Sequence, residues 1–63
     1  MDDDYEEVHR TQYEYEAEEM AAMLRGRGLV AAVSVEASCV TEYVVSVARG
    51  DLIRADAILR SDR

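Results

Sequence analysis

Residues 29–48, LVAAVSVEASCVTEYVVSVA, carry the clearest structural pattern in the chain. Within 29–36 and again within 42–48, larger apolar side chains alternate with smaller or polar ones. Such alternation is typical of β-strands that bury one face. The connection over 37–41 contains no Gly, Asn or Pro, so we expect a loop of about four or five residues rather than a tight turn. The pattern predicts an antiparallel hairpin whose inward face carries Leu29, Ala31, Val33, Val35, Tyr43, Val45 and Val47.

A helix is predicted before this hairpin, over residues 12–25. Thr11 followed by Glu14 fits a capping box, in which each side chain satisfies a free backbone N–H at the helix start. Gly26 and Gly28 are typical of a helix end, because glycine adopts the left-handed conformation without strain. Helical spacing places one apolar stripe toward the hairpin, made of Tyr13, Ala17, Met20, Ala21 and Leu24.

A shorter helix is predicted after the hairpin, over residues 52–60, with Asp51 as its N-cap. The order helix–strand–strand–helix predicts an α+β fold, a two-layer sandwich in which both helices cover one face of the hairpin. We expect a single domain over residues 11–63. Residues 1–10 are rich in acids, poor in apolar side chains and without a helical stripe, so we expect a flexible acidic tail there. The second helix turns its apolar stripe to the hairpin with Leu52, Ala55, Ile58 and Leu59.

The chain is short and strongly acidic. Its 63 residues include 14 acidic residues against 7 basic ones, all of them Arg, and the net charge is −7. The acid excess disfavours direct binding to nucleic acid, which depends on Lys and Arg contacting phosphates. The single cysteine excludes an internal disulfide, and no apolar run approaches the ~20 residues of a membrane-spanning helix. These features predict a cytoplasmic protein, in the host cytoplasm if a phage encodes it, that binds no membrane.

The negative charge is concentrated in residues 1–19, which contain nine of the acids and one Arg. A field of one sign speeds association with a surface of the opposite sign, so we expect a basic protein partner. The alternative is an ordinary solvated tail with an exposed Tyr15 on the helix. The residues predicted to bind the partner are Asp2, Asp3, Asp4, Tyr5, Glu6, Glu7, Tyr15, Glu16 and Glu19.

A homodimer is predicted from size and from the hairpin. A core this small about balances the entropy cost of ordering the chain, which favours sharing a core with a second chain. A two-stranded sheet also leaves edges and a back face uncovered. The back face consists of small and apolar side chains, and the predicted dimer interface is Val30, Ala32, Val44, Ser46 and Ala48.

Catalytic and metal-binding chemistry is not indicated. His9 is the only histidine, and a metal site needs further ligands at fixed spacing. Cys39 has no histidine near it in the sequence to act as the base of a nucleophile. We therefore predict that the protein is not an enzyme and has no metal and no cofactor.

Residues 17–59 resemble a family of small bacterial signal-transducing αββα domains. The resemblance rests on the segment from Glu16 through Leu24 to the Gly28-Leu29 step, on the Val45-x-Val47 strand and on the helix with Ala55 and Leu59. It implies the same α+β fold and no catalytic residues. The function predicted from the residues is a small acidic protein-interaction module, such as a phage or mobile-element inhibitor that mimics nucleic acid. The resemblance implies the alternative, a dimeric regulatory domain that senses a small ligand.

Overall fold

The computed structural model describes residues 4–61. Helices and strands follow one another as β1 (Tyr5–Thr11), α1 (Glu14–Gly26), β2 (Ala31–Ala37), β3 (Thr41–Ala48), a single 3-10 turn (Arg49–Asp51) and α2 (Leu52–Ser61). The predicted α+β fold is confirmed. β2 and β3 form the antiparallel hairpin, and both helices pack on one face of the sheet, where Val45 and Val47 are fully buried.

The sheet has three strands in the order β1-β3-β2, because the N-terminal segment pairs antiparallel with β3. Pairing runs from Tyr5 opposite Ala48 to Thr11 opposite Tyr43, with a bulge at Val8. The prediction of a flexible tail over residues 1–10 is therefore wrong from Tyr5 onward, while residues 1–3 lie outside the described part. The sequence did not indicate this strand because most of its side chains are polar or charged. Val8 is its one hydrophobic side chain that packs against the core.

The β2–β3 hairpin is regular. Its register is unbroken from Ala31 opposite Val47 to Ala37 opposite Thr41. The loop contains only residues 38–40, one or two fewer than predicted. Along the inward face, burial falls from Ala31 through Val33 to Val35, which is exposed.

α1 begins later than predicted. Tyr13 occupies the N-cap position without a side-chain cap, and its ring is exposed rather than part of the core. The capping box does not form because Thr11 is the last residue of β1. Its hydroxyl Oγ1 instead accepts a hydrogen bond from the Tyr13 N–H at 3.2 Å. The rest of the stripe is confirmed, since Ala17, Ala21 and Leu24 are fully buried.

The connections fix the helices to the sheet. Gly28 adopts φ +88°, and the turn it makes lets the Leu29 N–H donate to the Leu24 carbonyl at 3.1 Å. This geometry resembles the glycine-terminated helix end, in which a hydrophobic contact accompanies the hydrogen bonds. At the other helix, the Asp51 carboxylate accepts a hydrogen bond from the Val30 N–H at 3.3 Å. Asp51 therefore ties the start of α2 to the start of β2 across the hairpin end.

Candidate protein-binding surface

Arg10 is the centre of a charged network on the open face of the sheet. Its guanidinium donates to both carboxylate oxygens of Glu7 on its own strand, at 2.9 and 3.1 Å. It also reaches across to Glu42 on β3 at 2.9 Å and to Glu36 on β2 at 2.7 Å. One side chain therefore connects all three strands. Val44, its register partner on β3, is only 5% exposed, although none of the helices within residues 4–61 covers this face.

This network reduces the repulsion between two carboxylates of the hairpin. Glu36 and Glu42 are direct cross-strand neighbours, and like charges in that position destabilise a sheet. Arg10 lies between them and neutralises part of their charge. The same guanidinium holds the pKa of the Glu7 carboxyl below its usual range, mainly through the hydrogen bond, which outweighs the opposing effect of burial and is supported by the charge of Arg10. The three carboxylates in turn raise the pKa of Arg10.

Other arginines neutralise carboxylates on the strands and on α2. Arg49 lies 3.2 Å from Glu6, and Arg60 lies 3.1 Å from Asp56 one helical turn away. Asp51, which holds the Val30 N–H, is 3.6 Å from Arg54. Each acid of these segments thus has an arginine partner, although Glu7, Glu36 and Glu42 share the single charge of Arg10.

The outer surface of α1 is different. Glu14, Glu18 and Glu19 are exposed there, and within residues 4–61 none of the three makes a salt bridge. Beside them Tyr13 and Tyr15 are 59% and 67% exposed, with ring centroids 6.1 Å apart. We call these five residues the α1 surface. It combines uncompensated negative charge with two solvent-facing aromatic rings.

Glu16 lies on the side of α1 that faces β1. Its carboxylate Oε1 is 3.6 Å from His9 Nε2, an atom that is buried and has no hydrogen-bond partner within residues 4–61. The Thr11 hydroxyl, and to a smaller extent His9, lower the pKa of Glu16. Glu16 therefore belongs to the contact between helix and sheet as well as to the acidic flank.

The predicted partner-binding residues fall into three groups. Asp2 and Asp3 lie outside the described residues, and Asp4 is exposed at the start of β1, where its carbonyl accepts the Arg49 N–H at 2.7 Å. Tyr5, Glu6 and Glu7 lie on β1, where both carboxylates are paired with arginine. Tyr15, Glu16 and Glu19 lie on α1.

The sequence prediction missed Tyr13, Glu14 and Glu18 as members of the α1 surface. Glu18 and Glu14 are one helical turn apart, so their spacing was a usable signal. Tyr13 was assigned to the core because its spacing from Ala17 fits a helical stripe, and its position at the N-cap takes it out of that stripe.

The predicted dimer residues lie together on the open face, by the register of the sheet. Ala32 and Ser46 are opposite one another and, with Tyr5 and Ser34, line a groove of about 350 Å³. Val30 and Ala48 continue the same face at the end of the ladder, where the Ala48 N–H donates to the Val30 carbonyl at 3.1 Å. Val44 is buried within the chain, so it offers little area to a second copy.

A second groove, of about 460 Å³, runs between α1, β1 and α2. Its lining is mixed: Val8, Met20, Met23 and Leu59 are apolar, whereas His9, Asp56 and Arg60 contribute polar and charged groups. It is open to solvent along its length rather than enclosed. Among residues 4–61 no group of three His, Cys, Asp or Glu side chains is arranged to hold a metal ion, and Cys39 is exposed in the hairpin loop.

Comparison with known proteins finds no match: no family model, no curated protein and no solved structure is similar to this chain. The resemblance to signal-transducing domains therefore stays a prediction. Within the described residues, neither helix combines the length and the hydropathy that crossing a bilayer requires.

Proposed function

We propose that the protein is a small acidic binding module that attaches to a basic protein through the α1 surface. The observation that carries this proposal is the division of charge. Each carboxylate of β1, β3 and α2 has an arginine partner, whereas Glu14, Glu18 and Glu19 on α1 have no such partner among residues 4–61.

The division has a cost for the free protein. Glu14 and Glu18 are four residues apart on one helix, where like charges destabilise the helix by about 0.2–0.5 kcal/mol. A basic partner would remove that repulsion on binding. A surface whose carboxylates repel one another in the free protein is a better candidate for electrostatic recognition than one whose carboxylates are already paired with arginines.

The two tyrosines specify the kind of basic side chain that fits. An arginine guanidinium stacks on an aromatic face more favourably than a lysine ammonium does, and it also forms paired hydrogen bonds with a carboxylate. Tyr13 and Tyr15 beside Glu14 and Glu18 supply both features. We therefore propose a partner rich in arginine, and a nucleic-acid-binding protein is the class that presents such a surface.

The test is a titration with a labelled arginine-rich peptide, followed by fluorescence anisotropy. The doubly neutralised variant Glu18→Gln/Glu19→Gln should bind several-fold more weakly than the wild type. Its matched control is Glu6→Gln/Asp56→Asn, which also changes the net charge from −7 to −5 but at carboxylates that already have arginine partners. Equal weakening by both variants would show that only net charge matters and that α1 is not the site.

If the protein mimics nucleic acid, DNA should compete with it for the same partner. Duplex DNA should displace the protein from a DNA-binding partner, because both would occupy one basic surface. A lysine-rich peptide of equal length should bind less tightly than the arginine-rich one, and Tyr15→Leu should reduce that preference.

A second candidate function rests on the groove between α1, β1 and α2. Its volume of about 460 Å³ lies within the usual range for small-molecule sites, and its mixed lining, with Met20 and Met23 beside the Asp56–Arg60 ion pair, fits an amphipathic ligand. This candidate corresponds to the ligand-sensing domain that the family resemblance implies. A thermal-shift screen with small metabolites tests it, and loss of any stabilisation in Met20→Glu would place the ligand in the groove.

The homodimer is likewise a proposal. A chain of 63 residues buries a limited core, and one face of its sheet is uncovered by any described element. Sedimentation equilibrium decides between a mass of 7.1 kDa and twice that value.

A further inference from the structure

The free edge of β2 is open to another strand. Because the Ala48 N–H donates to the Val30 carbonyl, the even-numbered residues of β2 exchange hydrogen bonds with β3. The main-chain groups of the odd-numbered residues then point away from β3. The Arg25 Nε bond to the Ala31 carbonyl, at 3.1 Å, fits this direction. Within residues 4–61 no strand lies beyond β2 to receive the N–H and C=O groups of Val33 and Val35.

The two edges of the sheet are protected to different degrees. β1 carries a bulge at Val8 and the charged residues Glu6, Glu7 and Arg10, which are features that discourage pairing at an edge. The segment from Ala31 to Val35 of β2 has no bulge, no charge and no proline. Its last valine, Val35, is 59% exposed. The unprotected edge is therefore the one with the apolar sequence.

We infer that two copies of the chain pair through this edge, β2 antiparallel to β2, and form a continuous six-stranded sheet. The inference rests on the proposed homodimer and names its surface. With the two-fold axis at Ser34, residues 31–37 of the two copies lie side by side, and the Ala31 carbonyl keeps its hydrogen bond from Arg25. Val33 then lies opposite Val35 of the second copy, and each such pair exchanges two main-chain hydrogen bonds. The two-fold axis repeats the pair, so the interface contains four of these bonds.

The strand sequence favours a second copy of this chain as the occupant. Residues 31–37 read nearly the same in both directions, so pairing about Ser34 sets alanine opposite alanine and valine opposite valine. Each Glu36 is already held by Arg10 of its own chain, at 2.7 Å. The two Glu36 side chains stay four residues apart along the strands, or about 14 Å, which is beyond the screening length at physiological salt.

Disulfide trapping tests the register directly. In a Cys39→Ser background, Ser34→Cys places two thiols across the two-fold axis in a non-hydrogen-bonded pair with Cα atoms about 4.5 Å apart, within disulfide range. Ala32→Cys is the matched control: it lies on the same face of the same strand, but its copies would be about 14 Å apart. We expect near-complete covalent dimer for Ser34→Cys and almost none for Ala32→Cys. Similar trapping of both variants, or of neither, would overturn the edge register.

Sedimentation of charged variants separates the edge from the open face. Val35→Lys puts a charge at the proposed interface and should give monomers of 7.1 kDa. Ile53→Lys adds the same charge on exposed α2 and should leave the dimer unchanged. Ser46→Lys, on the open face of the central strand, should also leave it unchanged.

Each remaining outcome has one meaning. If Ser46→Lys dissociates the dimer and Val35→Lys does not, the open face is the interface and the edge inference is refuted. If the wild type itself has a mass of 7.1 kDa at every concentration, the homodimer fails and the edge inference fails with it. If the β2 edge instead binds an extended segment of another protein, the wild type stays monomeric and binds that protein. Val35→Lys then abolishes this binding, and the inference of a β2–β2 dimer is refuted.

Discussion

Truncating Leu24 tests whether the core lies where α1 meets the sheet. Leu24 is fully buried and is one of the three largest side chains with no exposure, with Val45 and Val47. Changing it to alanine removes three carbons, worth about 2.4 kcal/mol at about 0.8 kcal/mol each. Its helical neighbours toward the core, Ala17 and Ala21, are too small to fill the space, so a cavity adds to the loss. We expect a total of about 3–4 kcal/mol.

That loss is large for a chain of this size. A 63-residue domain has a free energy of unfolding of about 3–9 kcal/mol at typical values per residue. Leu24→Ala should therefore shift the urea midpoint strongly or leave the chain largely unfolded. The measurement is urea denaturation followed by far-UV circular dichroism, with every variant at one protein concentration because a dimer makes stability depend on concentration.

Ile53→Ala is the matched control. It also removes three carbons from a helical residue, but Ile53 is 84% exposed, so its effect should stay within about 0.5 kcal/mol. A loss below about 1 kcal/mol for Leu24→Ala, or an equal loss for both variants, would refute the assignment of the core face.

Three further predictions concern the strands and the turn. Arg10→Gln should lower the free energy of unfolding at pH 7, and the difference from the wild type should disappear as pH falls below about 4.3. The pKa of Glu7 is lower in the folded protein than in the unfolded chain. The stability that Glu7 contributes is therefore present above its unfolded pKa and is lost as pH falls through its folded pKa. Denaturation series over pH measure this, and a constant gap would contradict it. Deleting residues 1–10 should abolish cooperative unfolding because β1 is part of the sheet; a cooperative transition at the wild-type midpoint would show that β1 contributes nothing. Gly28→Ala should lower the free energy of unfolding by about 1–2 kcal/mol because Gly28 has φ +88°. Gly26→Ala should leave it unchanged, since Gly26 has open space around it and no positive φ. Equal melting temperatures for the two variants would contradict the left-handed turn at Gly28.

The hairpin and the helices could be predicted because their signals are local. Val45 and Val47 alternate with Val44 and Ser46 along one strand, and the stripe ending at Leu24 has helical spacing. β1 could not be predicted in this way. Its side chains are mostly charged, and its contacts are long-range: its main chain pairs with β3, and Arg10 meets Glu36 and Glu42, residues 26 and 32 positions away in the chain.

The candidate site shows the same limit. An excess of acids near the N-terminus was evident from the sequence, and Tyr15 and Glu19 were correctly placed on the outer face of a helix. Which acids are compensated was not evident, because pairing depends on the register of the sheet. Glu6 has an arginine partner only because β1 lies beside β3, which is followed by Arg49, whereas Glu7 is paired with Arg10 on its own strand.

The association rate with an arginine-rich peptide, measured over a series of salt concentrations, tests most directly whether the α1 surface is the binding site. Electrostatic steering predicts a rate that falls steeply with salt for the wild type and for Glu6→Gln/Asp56→Asn. For Glu18→Gln/Glu19→Gln we expect a slower rate at low salt and a clearly shallower dependence. The same salt dependence in all three proteins would contradict the assignment of partner binding to α1.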